Sequence, residues 1–216
     1  MIIAIDGPSA AGKGTIAGKI AAHFGYAHLD SGALYRAVAL ALLRAGREPS
    51  DAAAAVSAAE DLDPEIMSEP AIRDQETGAA ASLVAAIPEV RRALVHFQRD
   101  FASHPPGGAA GAVIDGRDIG TVVCPQADVK LFITATDEER ARRRMLELKG
   151  RGEAHDYEEV LSEIQARDQR DIERETAPLK RAADALLLNT TNLDIEAAFQ
   201  AALDLIKASR DGARSA

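Results

Sequence analysis

Met1-Ile2-Ile3-Ala4-Ile5-Asp6-Gly7-Pro8-Ser9-Ala10-Ala11-Gly12-Lys13-Gly14-Thr15 decides the fold. The unbroken apolar run to Ile5 reads as a short strand covered on both faces, since a half-exposed strand would alternate. Gly7, Gly12 and Gly14 then allow a turn whose backbone approaches a ligand closely. From Lys13 the spacing of Ile16, Ile20 and Phe24, closed by Gly25, predicts a helix. Strand, glycine-rich turn and helix in that order form a phosphate-binding loop. Its successive N–H groups turn inward around phosphate oxygens and the helix N-terminus adds its dipole. Lys13 contributes a full positive charge and the Thr15 hydroxyl can reach a magnesium ion. Gly7, Pro8, Ser9, Ala10, Ala11, Gly12, Lys13, Gly14 and Thr15 are therefore the expected nucleotide-phosphate site.

Outward from this unit, short strands are predicted at 26–29, 111–114, 129–135 and 186–188. Helices are predicted at 33–45, from Thr136 to about Lys149, and at about 194–209, with a frayed tail after Ser209. Thr136 followed by Glu139 is a capping-box signature. Strands alternating with helices argue a mostly parallel sheet covered on both faces. Between Arg47 and His104 the alternation lapses into Ala-rich and acidic stretches, read as a mainly helical insertion. Gly150 to His155 interrupts two helical stretches in the manner of a lid.

The chain has 216 residues, 47% hydrophobic and 27% charged, which suits one soluble α/β domain and excludes a disordered or fibrous chain. A net charge of −9 argues against general binding to nucleic acid or anionic membranes. No run approaches membrane-spanning length, no leader precedes the first strand, and the single Cys124 reads as a core thiol, so a cytoplasmic monomer is expected. The basic side is unusual, with 19 Arg against 6 Lys. Guanidinium forks suit bidentate phosphate contact better than ammonium groups do.

Ala112-Val113-Ile114-Asp115 is an apolar strand ending in a carboxylate, an arrangement that can hold water around magnesium. After it, Gly116-Arg117-Asp118-Ile119-Gly120 sets charges beyond the C-terminal end of a strand, where ligands bind in open parallel sheets. Arg140, Arg143 and Arg144 lie on one predicted helix. Arg167, Arg170, Asp171 and Arg174 share one face of the next at i, i+3, i+4, i+7. A phosphate acceptor is already ionised and needs no base, but it repels the donor by about 4 kcal/mol per charge pair at about 4 Å and an effective dielectric of about 20. Many arginines answer that repulsion. A hydroxyl acceptor with a carboxylate base such as Asp30, or a nucleotide-binding regulator without turnover, remains open on these residues alone. No guanine-reading N/T-K-x-D or D-x-x-G element occurs, and His23, His28, His96, His104 and His155 show no metal-ligand spacing.

Together these stretches resemble the bacterial cytidylate kinases. The resemblance runs through the loop at Gly7 to Thr15, where Gly14 between the Lys and the Thr is a variation common among nucleoside monophosphate kinases. It continues through Asp30-Ser31-Gly32-Ala33-Leu34-Tyr35-Arg36, Ser82 with Ile87-Pro88-Glu89-Val90-Arg91, Gly116 to Val123, Arg167 to Arg174, and Ala177-Pro178-Leu179. It implies an α/β, three-layer P-loop kinase fold with a parallel five-stranded sheet flanked by helices. The core would be about 1–46, 105–149 and 176–210, the helical acceptor-binding insertion about 47–104, and the Arg-rich lid about 150–175. The implied activity is Mg2+-dependent transfer of the ATP γ-phosphoryl group to CMP or dCMP. Ser31, Arg91, Asp118 and Arg174 would surround the cytosine, Ser82, Arg167 and Asp171 the pentose, and Arg36 and Arg117 the acceptor phosphate. Lys13, Arg117 and Arg143 would be the catalytic charges, and Thr15, with Asp115 through water, would hold Mg2+. Ala10 stands where such loops often carry Gly, a replacement that suits a negative φ.

Overall fold

A computed structural model describes residues 1–214, with the backbone alone for Pro64 and for residues 211–214. The described elements run β1 (Ile2–Asp6), α1 (Lys13–Phe24), β2 (Ala27–Asp30), α2 (Ser31–Arg44), α3 (Ala52–Glu60), α4 (Gln75–Val84), α5 (Pro88–Ser103) and β3 (Ala112–Gly116). They continue with β4 (Val129–Thr134), α6 (Asp137–Gly150), α7 (Tyr157–Glu173), β5 (Leu186–Asn189) and α8 (Ile195–Arg214). The strands form one five-stranded sheet in the order β2-β3-β1-β4-β5, with β1 parallel to β3 and β4, and β4 parallel to β5. The glycine-rich loop thus leaves the central strand at its C-terminal end.

Alternate residues of the strands meet the helices. Ile3 and Ile5 of β1, Val129, Leu131 and Ile133 of β4, Val113 of β3 and Leu188 of β5 pack with Ile16, Ala17 and Ile20 of α1 and Ala198, Ala202 and Ile206 of α8. Small alanines on both helices let them lie close to the strands, and each buried aliphatic side chain contributes about 1.5–3 kcal/mol. Beyond β3 the chain makes one wide π turn at Ile119–Val123, with Val123 N and Cys124 N bonding five residues back to Asp118 O and Ile119 O. Cys124 is buried, in keeping with a core thiol.

The residues group into two compact units, Met1–His28 with the chain from Pro105 onward, and Leu29–His104. In the second, α2 packs on α3 and α4, and α3 on α5. Its core is Leu34, Val38, Leu42, Ala55, Val84, Val90 and Leu94. The insertion is mainly helical as expected, its described elements being α-helices and short 3-10 turns. Two expectations at helix ends are corrected. α2 begins at Ser31, two residues early, because the Asp30 carboxylate caps it by accepting from Ala33 N at 3.2 Å. α8 continues through Arg214 where fraying was expected after Ser209, and the last two residues lie outside the described residues. The Thr136 cap is present, accepting from Glu139 N at 3.4 Å.

Candidate active site

Gly7 leaves β1 with φ +149°, and a Cβ there would stand 1.9 Å from the carbonyl oxygen of Ile133, so only glycine fits this turn. Gly12 has φ +87° as the N-cap of α1. Ala10 has φ +57° and not the negative φ that its side chain prefers. A non-glycine residue held there costs about 1–2 kcal/mol, so something must hold it. Lys13 is buried and its Nζ donates to Pro8 O at 2.7 Å, while Gly14 and Thr15 are exposed at the start of α1.

This loop is held by side chains from three distant segments. Arg140 of α6 donates from Nη1 to Ser9 O at 2.9 Å and pairs with Asp168 Oδ2 of α7 at 2.5 Å. Asp168 Oδ1 accepts from Ser9 N at 3.3 Å. Thr190 Oγ1 donates to Ala11 O at 3.2 Å. Arg143 donates from Nη1 to Thr190 Oγ1 at 2.9 Å and from Nη2 to Thr190 O at 2.6 Å, and pairs through Nε with Glu139 at 3.1 Å. Its Nη1 lies 3.8 Å from where a Gly12 Cβ would stand, which sets this guanidinium directly beside the loop.

Asp115, at the end of β3, is buried and bonds through Oδ1 to His28 Nε2 at 2.8 Å. Its Oδ2 lies 3.8 Å from where a Gly14 Cβ would stand. One exposed hydroxyl at Thr15 with one carboxylate close behind the loop fits a magnesium ion that takes most of its ligands from phosphate oxygens and water. Among the described residues no cluster of three or more His, Cys, Asp or Glu could hold a metal by itself.

Beyond the same end of β3, the predicted charges assemble. Arg117 donates from Nε to Asp171 Oδ2 of α7 at 2.8 Å. Arg174 lies 3.7 Å from Asp171 Oδ1 and 3.6 Å from Asp118 Oδ1, and donates from Nε to Ala177 O at 2.6 Å. Burial alone would raise the Asp171 carboxyl, but Arg117, then Arg167 and Arg174, outweigh it and hold the group below the usual carboxylate range. So Arg117, Asp118, Arg167, Asp171 and Arg174 form one interleaved cluster. Arg170, read as sharing that face, is exposed. Asp6 joins cluster and loop, its carboxylate accepting from Ile119 N and Gly120 N at 2.7 Å each. Burial pushes its pKa up to about 6, against the lowering by those two N–H groups.

The 29–104 unit carries the other predicted residues. Ser31 is buried in the first turn of α2. One turn on, the Tyr35 ring lies under the Arg91 guanidinium at 5.4 Å, and Arg91 Nη1 donates to Ala85 O at 3.2 Å. Arg36 donates to Ile72 O at 3.2 Å, and a Cβ on Gly78 would stand 3.0 Å from its Nη1. Ser82, one turn beyond Gly78 on α4, has a buried Oγ with no hydrogen-bond partner among the described residues. The Asp30 carboxylate, one of the carboxylates that a hydroxyl acceptor could have used, also caps α2.

Asp6, His28, Arg140 as a loop anchor, Asp168 and Thr190 escaped the sequence reading. The contacts that give them these roles span long stretches of chain, from 87 residues in His28–Asp115 to 179 in Thr190–Ala11, so no local spacing announces them. The one available signal was Asp168 within the Arg-rich turn of α7.

The model of the family described as cytidylate kinase matches residues 3–208. A cytidylate kinase of Bradyrhizobium diazoefficiens is 57% identical over 212 residues, 98% of each chain. One of Methylocella silvestris is 57% identical over 215 residues, covering 100% of this chain and 98% of its own. Among solved structures, an uncharacterized protein from Eubacterium ventriosum aligns with a TM-score of 0.56 at 15% identity over 96% of this chain and 98% of its own, a likeness of fold alone.

Proposed function

The chain belongs to the cytidylate kinase family, and from that membership we propose that it transfers the γ-phosphoryl group of ATP to CMP or dCMP, giving ADP and CDP or dCDP. The observation that carries this reading is the cluster of Arg117, Asp118, Arg167, Asp171 and Arg174 in the same unit as the phosphate loop. Three guanidinium groups suit an anionic acceptor, and aspartates between them suit a base with an exocyclic amine.

The assignments follow the chemistry of each side chain. The loop from Gly7 to Thr15 takes the ATP phosphates through its N–H groups, with Lys13 as the fixed charge. Magnesium, held by Thr15 and through water by Asp115, would neutralise charge between phosphate oxygens. Arg36 and Arg117 hold the acceptor phosphate. Ser31, Arg91, Asp118 and Arg174 read the cytosine, while Ser82, Arg167 and Asp171 serve the pentose; the unpartnered Ser82 Oγ suits a hydroxyl group. Arg143, whose donors face Thr190 and Glu139, acts by its charge beside Gly12.

An oxygen of the acceptor phosphate attacks the γ-phosphorus, and the bond to the β,γ-bridging oxygen breaks with its electron pair leaving on ADP. No carboxylate base is required, because the acceptor is already ionised at neutral pH. The turn at 151–156 acts as the moving end of a lid, since α6 and α7 are pinned at Ser9 by Arg140 and Asp168. Cytoplasmic action as a monomer is part of the same reading. No described helix is long and apolar enough to cross a membrane.

The test is ADP release from ATP and magnesium against CMP, dCMP, UMP, AMP, GMP and shikimate. Preference for CMP or dCMP is expected. Turnover with the hydroxyl compound alone, or none with any acceptor, would overturn the reading.

A further inference from the structure

We propose that the buried Arg140–Asp168 ion pair is a clamp that sets the phosphate loop in its ATP-binding shape, with Asp168 and Arg140 as positioning residues. The inference rests on the reading of Gly7–Thr15 as the ATP site. The pair grips both polar groups of one residue, because Ser9 N–H donates to Asp168 Oδ1 at 3.3 Å and Ser9 C=O accepts from Arg140 Nη1 at 2.9 Å. Arg140 is itself fixed, 3% exposed, with Nε on Ala135 O at 3.2 Å and Nη2 on Asp137 Oδ1 at 2.6 Å. Asp168 is 7% exposed. Among the described residues, Ser9 is the one loop residue to which either side chain hydrogen-bonds.

The grip falls next to the loop's one non-glycine residue in the left-handed region, Ala10 at φ +57°. Without support, an alanine there relaxes to negative φ and swings the neighbouring N–H groups out of register. Thr190 and Arg143 hold only the carbonyl of Ala11 on the far side. Fixing the Ser9 peptide on the near side leaves Ala10 no room to relax between two anchored neighbours. The left-handed residue and the clamp are thus a matched pair: the ion pair offsets a backbone cost that glycine would not incur.

The test is the direct affinity for ATP, by titration calorimetry, in Asp168→Ala, Asp168→Asn, Ala10→Gly and the double variants, with CMP KM at saturating ATP and thermal melting alongside. Asp168→Ala is expected to weaken ATP about 10-fold or more and to leave CMP KM within about twofold. Asp168→Asn keeps an oxygen for Ser9 N–H and loses the charge, so a loss of about threefold is expected. Ala10→Gly is expected to restore ATP affinity in the Asp168→Ala background by at least about threefold more than it changes the unmodified chain. If Asp168→Ala does not fold, Asp168→Asn with and without Ala10→Gly carries the same comparison. Folded variants that bind ATP like the unmodified chain, equal losses for ATP and CMP, or the same effect of Ala10→Gly in both backgrounds would overturn the clamp. Failure of the unmodified chain to bind ATP would instead overturn the functional reading together with the clamp.

Discussion

In the proposed reading, the loop at Gly7–Thr15 would offer phosphate its backbone and the cluster around Arg117 and Asp171 would offer side chains, and the two regions are held by different means. In the loop, Gly7, Ala10 and Gly12 have positive φ values, and the carbonyls of Ser9 and Ala11 are tied down by Arg140, Thr190 and Arg143. In the cluster, Arg117 pairs with Asp171 and Arg174 lies near both Asp171 and Asp118. The loop is held as a backbone conformation, and the cluster is held as ion pairs that, in the proposed reading, a phosphate would re-partner. A substitution in the loop therefore acts through shape, and one in the cluster acts through charge.

That contrast is easiest to break at Gly7. Gly7→Ala forces a Cβ to within 1.9 Å of Ile133 O, and backbone cannot move aside as a flexible side chain would. The expected result is a loss of more than about 1000-fold in kcat/KM for ATP, or failure to fold, read by steady-state kinetics and melting. Arg117→Met probes the other side. It removes the charge proposed for the acceptor phosphate and leaves Asp171 with one partner fewer, so kcat/KM for CMP is expected to fall about 100-fold. ATP affinity should stay within about twofold of the unmodified chain, and an equal loss for both nucleotides would erase the distinction between the regions.

Asp6 sharpens the comparison, because it sits at the joint between them. Its folded pKa of about 6 lies above the ordinary aspartate value of 3.8, so its protonation favours the native state below about pH 4, and that contribution is lost as pH rises through 6. Asp6→Asn removes this titration. Relative to the unmodified chain, the variant is therefore expected to gain on the order of 1–3 kcal/mol between pH 4 and pH 7. Urea unfolding at the two pH values measures it, and a difference that does not change with pH would show that burial at Asp6 is not felt as a charge penalty.

What could be read from the chain alone follows from how local each feature is. The strand, loop and helix at Ile2–Phe24, the Thr136 cap and the helical insertion depend on neighbours within a few residues, and all three are where spacing and turn chemistry put them. The cluster of Arg117, Asp118, Arg167, Asp171 and Arg174 was named from motifs, yet its pairing, and the outward turn of Arg170, needed the tertiary structure. Ala10 went the other way, taking a positive φ that its side chain disfavours, because anchors from α6, α7 and the β5–α8 turn override local preference. Contacts such as Asp6 with Ile119, 113 residues apart, carry no sequence period at all.

The most direct measurement follows the phosphoryl group itself: ATP labelled in its γ-phosphate is mixed with magnesium, the chain and CMP, and the products are separated. The account predicts label in CDP, one equivalent for each CMP consumed, with negligible release as inorganic phosphate. Label that remains in ATP, or that appears only as inorganic phosphate, would contradict it.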